Sequence, residues 1–261
     1  MPASGRGPNE PLRLLCTNDD GIHARGLEVL AEAASPLGEV HVVAPDREQS
    51  ASSHSLTLHR PLRVTRLKNR QHTVDGTPTD CVLIAVNELL DVRPDFVLSG
   101  VNHGPNMGED VLYSGTVAAA MEATILGIPA VAVSFASRSI EPLESYGPLL
   151  TRVIGSLIER PDFPQETFFN INLPDSTADE IAGMRITTLG RRVYSDSLTR
   201  NTDPRGGEYL WIGGGKSHWR GREDSDFRAL EAGYVSITPM HLDLTNFQLI
   251  EEVRSWPLAT S

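Results

Sequence analysis

Short apolar runs and helix-periodic stretches take turns through the first 175 residues, and that alternation restricts the fold more than anything else in the chain. Residues 13–17, 39–44, 96–99, 130–135 and 168–172 read as strands, and 130–135 is as uniformly apolar as a parallel strand buried on both faces must be. Between them lie helical segments. Residues 27–34 put Leu27, Leu30, Ala31 and Ala34 on one face. A second helix starts at Pro78 with Thr77 as its cap and runs through Val82, Leu83, Val86, Leu89 and Leu90. A third covers 116–126 and stops at Gly127, and a fourth covers 143–159. The pattern predicts an α/β fold, a doubly wound and mostly parallel sheet with helices on both faces.

Two regions depart from the alternation. Residues 56–74 alternate apolar and basic side chains, as an exposed antiparallel ribbon would. After Met184 the texture turns polar: 185–189 and 209–212 read as strands around an Arg-rich stretch, 224–233 is mixed, and 234–238 reads as a strand ending at Pro239. The expected organisation is one domain. It comprises a loose tail at 1–11, a core at 12–189, an extension from that core at 190–233, and a returning strand and tail at 234–261.

Composition narrows the class further. The acidic residues number 34 against 23 Lys and Arg, for a net charge of −11. That argues against a partner that is a nucleic-acid polymer, but a small anionic substrate stays open because a bound cation reverses the field locally. No apolar run is long enough to span a bilayer, and residues 1–11 lack the apolar segment of a secretory signal. Cys16 and Cys81 lie within apolar patterns, so buried thiols and a cytoplasmic location are expected.

In an open α/β sheet, ligands bind outside the carboxyl ends of the strands. Four predicted loops share that edge: 18–21, 47–55, 100–115 and the loop after Phe135. They carry Asp19, Asp20, Ser50, Asn102 and Asn106, two carboxylates with neutral oxygens. Such a set suits a hard cation, Mg²⁺ or Mn²⁺, and no Cys or His stands at a zinc spacing. Taken alone, Asn18-Asp19-Asp20-Gly21 also suits a plain turn with an Asp helix cap. Tyr113-Ser114-Gly115-Thr116 opens an Ala-rich helix, where an anion can bind or where Ser114 or Thr116 simply caps. Of the loop histidines His23, His54, His103 and His241, only His241 is carried as a substrate contact. Arg47 suits either a phosphate contact or an exposed surface position.

The order of motifs is more specific than any one of them. Thr17-Asn18-Asp19-Asp20-Gly21 is followed by Val43-Ala44-Pro45-Asp46-Arg47 with Ser50, then Ser53-His54-Ser55-Leu56-Thr57. Gly76-Thr77-Pro78-Thr79-Asp80-Cys81, Ser99-Gly100-Val101-Asn102-His103-Gly104-Pro105-Asn106 and Tyr113-Ser114-Gly115-Thr116-Val117-Ala118-Ala119-Ala120-Met121-Glu122 come next. Together they resemble the survival protein E (SurE) family of metal-dependent nucleotidases, over about residues 12–245. The resemblance implies a Rossmann-like core and hydrolysis of nucleoside 5′- and 3′-monophosphates, with short polyphosphate as a further substrate. It implies one divalent ion per subunit on Asp19, Asp20, Ser50 and Asn102. It also implies catalytic roles for Asp19, Asp20 and Asn106, and substrate or phosphate contacts from Asn106, Ser114, Gly115 and Thr116. Self-association as a dimer or tetramer, with C-terminal segments exchanged between subunits, is implied as well. Two rivals stand beside it. A nucleotide sensor on the same fold needs no open metal position. An aspartyl-phosphate mechanism normally uses an Asp-x-Asp pair, whereas the side chains of adjacent Asp19 and Asp20 diverge.

Overall fold

The computed structural model describes residues 10–137, 139–194, 198–212 and 217–258. Its centre is a nine-stranded sheet. In chain order the strands and helices of the core are β1 (Arg13–Thr17), α1 (Arg25–Ala34), β2 (Glu39–Pro45), β3 (Val64–Lys68), β4 (Gln71–Val74), α2 (Pro78–Ile84), β5 (Phe96–His103), α3 (Gly115–Ile125), β6 (Ala130–Phe135), α4 (Gly147–Ile158) and β7 (Thr167–Leu173). The chain continues through β8 (Gly183–Ile186), β9 (Arg191–Tyr194), β10 (Leu198–Thr202), β11 (Glu208–Ile212), β12 (Ser217–Arg220), α5 (Asp226–Glu231), β13 (Tyr234–His241) and α6 (Phe247–Arg254).

Across the sheet the order is β3-β4-β2-β1-β5-β6-β7-β13-β8. From β4 to β7 every pairing is parallel, and β13 joins β7 antiparallel. The strand order reverses at β1, so β1 and β5 form the crevice where such sheets bind ligands.

Alternate residues of the central strands feed two separate cores. Leu14, Cys16, Phe96, Leu98, Val131 and Val133 pack on one face with α1 and α4. Leu15, Val97, Ala130 and Ala132 pack on the other with α2 and α3. This is the two-residue period of a strand covered on both sides, and it gives the helices on both faces that the alternation predicts. Cys16 and Cys81 are both buried and free; burial pushes the Cys16 thiol up to about 12, so it behaves as a packing group.

Several local expectations need correction. Only the end of the 56–74 ribbon is a hairpin, β3–β4, and it is not separate, because β4 adds in parallel to β2. The fourth helix begins as a 3-10 turn over Glu141–Tyr146 and becomes α4 only at Gly147, with Pro148 in its first turn. The strand at 96–99 runs on to His103, with a register shift against β6 between Ser99 and Asn102. Residues 224–233 contain the short helix α5, and the C-terminal stretch contains α6. β13 does not stop at Pro239: β8 pairs only with Tyr234–Ile237, so beyond that point one side of β13 is an open edge, where a missing N–H costs no ladder bond. The tail expected at 1–11 lies outside the described residues except for Glu10 and Pro11. No helix among the described residues is long and apolar enough to cross a membrane.

Candidate active site

The site is built around the turn after β1. Gly21 has φ +100°, a left-handed angle that favours glycine, and Asn18 Nδ2 donates to the Gly21 carbonyl at 3.1 Å. The turn is thus a shaping device, and it leaves Asp19 and Asp20 in different surroundings. Asp19 is buried at 4% exposure. Its Oδ1 accepts the Thr116 hydroxyl from the first turn of α3, and its main-chain carbonyl accepts the Gln49 N–H at 2.7 Å. Burial pushes the Asp19 carboxyl up to about 6, with the Asp20 charge adding to the rise and the Thr116 hydrogen bonds pulling against it. Asp20 Oδ2 accepts the His103 N–H at the end of β5, at 3.0 Å. Burial raises its pKa too, and the His103 bond opposes the rise.

Three segments therefore meet at Asp19 and Asp20: the 47–55 loop, the end of β5 and the start of α3. The approach of α3 is close. A Cβ on Gly115 would lie 2.8 Å from Asp19 Cβ and 2.8 Å from Ser52 Oγ, so only glycine lets the helix come this near. Ser114 caps α3, its hydroxyl accepting the Val117 N–H at 3.1 Å. The 47–55 loop is tied to the same helix by the Ser53 N–H on the Tyr113 carbonyl, 3.1 Å, and by His54 Nε2, 2.7 Å from Glu122 Oε2.

Ser50 is exposed, with its hydroxyl donating to Glu48 Oε1 at 2.6 Å. Asn102 Nδ2 donates to the Gly104 carbonyl at 2.8 Å, which leaves Oδ1 as the amide atom not so engaged. Asn106 is nearly buried at the top of β6 and β7. Ser134 Oγ accepts its Nδ2 at 2.8 Å, and Asn172 Oδ1 accepts its main-chain N–H at 2.8 Å. Cross-strand pairing sets Asn102 beside Ser134, and Ser134 beside Asn172, in one row.

His241 does not join this group. It pairs with Thr167, where β7 begins, because β13 runs antiparallel to β7. That is the opposite edge of the sheet from Asp19. There it accepts the Asp243 N–H at 3.0 Å and lies 3.8 Å from Glu166, so within one chain it is not a contact of this site. Arg47 is largely exposed, beside Asp46. Sequence reasoning passed over the partners that hold the site: His103 through its main chain, Ser134, Asn170, Asn172, Ser52 and the His54–Glu122 pair. The available signal was weak, consisting of hydroxyls and amides inside apolar strands.

Among the described residues no three or more His, Cys, Asp or Glu cluster as a metal site, so a cation here would rest on two carboxylates and neutral oxygens. The donor chemistry fits a hard divalent ion. The buried Asn18 Oδ1 and Ser52 Oγ have no hydrogen-bond partner among the described residues, as expected of a polar pocket built to face a further group.

Fold and site together define a doubly wound α/β protein with an acidic, oxygen-lined crevice at its strand-order reversal. The family model described as Survival protein SurE matches residues 14–196, and the chain belongs to that family. It is 58% identical to the 5′-nucleotidase SurE of Gemmatimonas aurantiaca over 248 residues, covering 94% of this chain and 98% of that protein. It is 47% identical to the 5′-nucleotidase SurE of Geotalea uraniireducens, over 95% of this chain and all of the other. Among solved structures, the SurE protein from Aquifex aeolicus superposes with a TM-score of 0.84 at 40% identity, covering 93% of this chain and 98% of that one.

Proposed function

We propose that this protein is a divalent-metal-dependent 5′-nucleotidase that hydrolyses nucleoside monophosphates to nucleoside and phosphate. One observation carries the reading: the start of α3 is pressed against the Asp19 carboxylate, with Gly115 leaving no side chain between them. A helix N-terminus beside paired carboxylates makes a mixed-charge pocket that can take an anion and a cation together.

Asp19, Asp20, Ser50 and Asn102 would hold the cation, which when bound neutralises phosphate charge and makes a water more acidic. The chain supplies the rest. The Gly115 main chain and the free N–H of the Asn106 amide donate to phosphate oxygens, stabilising charge that builds up on them during transfer. Ser114 contributes by capping and so fixing that helix start. Asp19 orients the attacking water with the oxygen that Thr116 does not occupy. A 3′-nucleotide or short polyphosphate presents the same terminal phosphate, so acceptance of these follows from a site that reads phosphate first.

Self-association is the second half of the proposal. β10 and β11 leave Leu198, Leu210, Trp211 and Ile212 exposed, and α6 leaves Phe247 exposed, an unusual density of large apolar groups at a surface. A second copy of the chain is the proposed cover. The two buried, unbridged cysteines accord with a reducing, cytoplasmic compartment.

The deciding test is phosphate release from a panel of nucleoside 5′- and 3′-monophosphates, with Mg²⁺, with Mn²⁺ and after chelation. Metal-dependent release from 5′-nucleotides is expected. Failure to release phosphate from any substrate with any metal would defeat the enzyme reading in favour of a nucleotide sensor.

A further inference from the structure

We infer that Asn170 and Asn172 of β7 are positioning residues for the phosphate-contacting amide of Asn106, an inference that rests on the role for Asn106 proposed above. β7 is a core strand between β6 and β13, and both asparagines are fully buried. Standing two apart, they share one side of the strand, while Ile171 and Leu173 fill the apolar core on the other. Burying a carboxamide costs free energy unless each polar atom finds a partner, so two on one strand need a reason.

Their side-chain hydrogen bonds go to a single loop residue. Asn172 Oδ1 accepts the Asn106 N–H at 2.8 Å, and Asn172 Nδ2 donates to the Asn106 carbonyl at 2.9 Å. Asn170 Nδ2 donates to the same carbonyl at 2.8 Å. Ser134 on β6 then takes one N–H of the Asn106 side chain at 2.8 Å. An amide nitrogen carries two hydrogens, so the second is left for a ligand. Loop backbone ordinarily satisfies its polar groups with water; here two side chains from an interior strand grip one loop residue by both its main-chain groups.

Two details argue that the grip serves the site and not stability. Asn170 Oδ1 stays buried without a partner among the described residues, a standing cost that an apolar residue of similar size would avoid. The row Asn102–Ser134–Asn172 also places the clamp in register with the candidate cation ligand Asn102. The amide of Asn106 is thereby fixed on rigid strands at the edge where the site is built.

The test measures kcat/KM on a nucleoside 5′-monophosphate, inhibition by inorganic phosphate, Mn²⁺ affinity by titration calorimetry, and thermal stability, on the full chain. Asn172→Ala should lower kcat/KM by about 10- to 100-fold, the scale of a misplacement near 1 Å. It should weaken phosphate inhibition in parallel and leave Mn²⁺ affinity within about twofold, because the cation ligands lie outside β7. Asn170→Ala, which removes one bond, should show the same split with a smaller loss and covers the case in which Asn172→Ala does not fold. In an Asn106→Ala background either change should shift kcat/KM by less than about twofold, since the group they position is gone. Additive losses, or Mn²⁺ affinity falling together with kcat/KM, would overturn the inference. An Asn106→Ala protein that keeps normal phosphate inhibition would instead remove the role of Asn106 itself, a result separate from the other two.

Discussion

At the scale of single residues, the narrow seam between Asp19 and α3 sets the sharpest expectation. Gly115→Ala puts a methyl group 2.8 Å from Ser52 Oγ, a hydroxyl that can turn, and 2.8 Å from Asp19 Cβ, which is fixed to the main chain. Helix and carboxylate must part by several tenths of an ångström, at a cost of about 1–3 kcal/mol as in other overpacked sites. Turnover should fall by about 10- to 100-fold, more than the stability loss alone explains, and steady-state kinetics beside a thermal melt will tell the two apart. Asp20→Asn keeps the shape and an acceptor for the His103 N–H but removes one of the two charges. Cation affinity and turnover should fall together by at least about tenfold, measured by calorimetry and phosphate release; wild-type turnover at ordinary Mg²⁺ would count against the site. Asp19 and Asp20 were legible because they end an apolar run abruptly. Asn170 and Asn172 were not: polar residues at alternate strand positions read as a solvent-facing edge, and only the tertiary structure shows them buried beneath a loop.

Among the elements, α5 is short yet holds a junction. Asp226, fully buried at its start, accepts the N–H groups of Gly190 and Phe227 on Oδ1 and of Gly108 on Oδ2, all at 2.8 Å. Three donors need two acceptor oxygens, so Asp226→Asn turns an amide N–H₂ toward one of them. A loss of about 1–3 kcal/mol is expected in denaturant unfolding. Burial raises the Asp226 pKa, with the three N–H bonds pulling it back. A folded-state pKa above the unfolded one means the group's contribution is complete below the ordinary aspartate range and declines as pH rises through the raised value. The deficit of Asp226→Asn should therefore be largest at the acid end of that window and shrink toward neutrality. Sequence pattern could not supply this helix, since six residues of mixed polarity carry no period. The parallel strands were readable because cover on both faces leaves them uniformly apolar. The direction of β13 was beyond reach, and with it the placement of His241 at the far edge of its own chain's sheet, because hydrophobicity does not record which way a strand runs.

For the molecule as a whole, a cation bound only by the folded chain stabilises it by mass action. An excess of about 100-fold over the dissociation constant is worth about 2.7 kcal/mol. Chelation should abolish phosphate release and lower the melting temperature, and Mn²⁺ or Mg²⁺ should restore both; a melting temperature indifferent to metal would argue against the binding site. The arm bearing the exposed Trp211 and Ile212 is not a free appendage. Its first strand, β9, is held by the Arg192 N–H on Glu109 Oε2 at 2.6 Å and by an Arg192–Asp110 ion pair. Glu109 and Asp110 stand between Asn106 and Ser114 in the loop that the active site uses. The strand that leads into the segment proposed to meet a neighbouring copy is therefore clamped to the segment proposed to meet phosphate. Dilution that separates the copies should then cost catalytic efficiency per molecule, so that specific activity rises with enzyme concentration until assembly is complete.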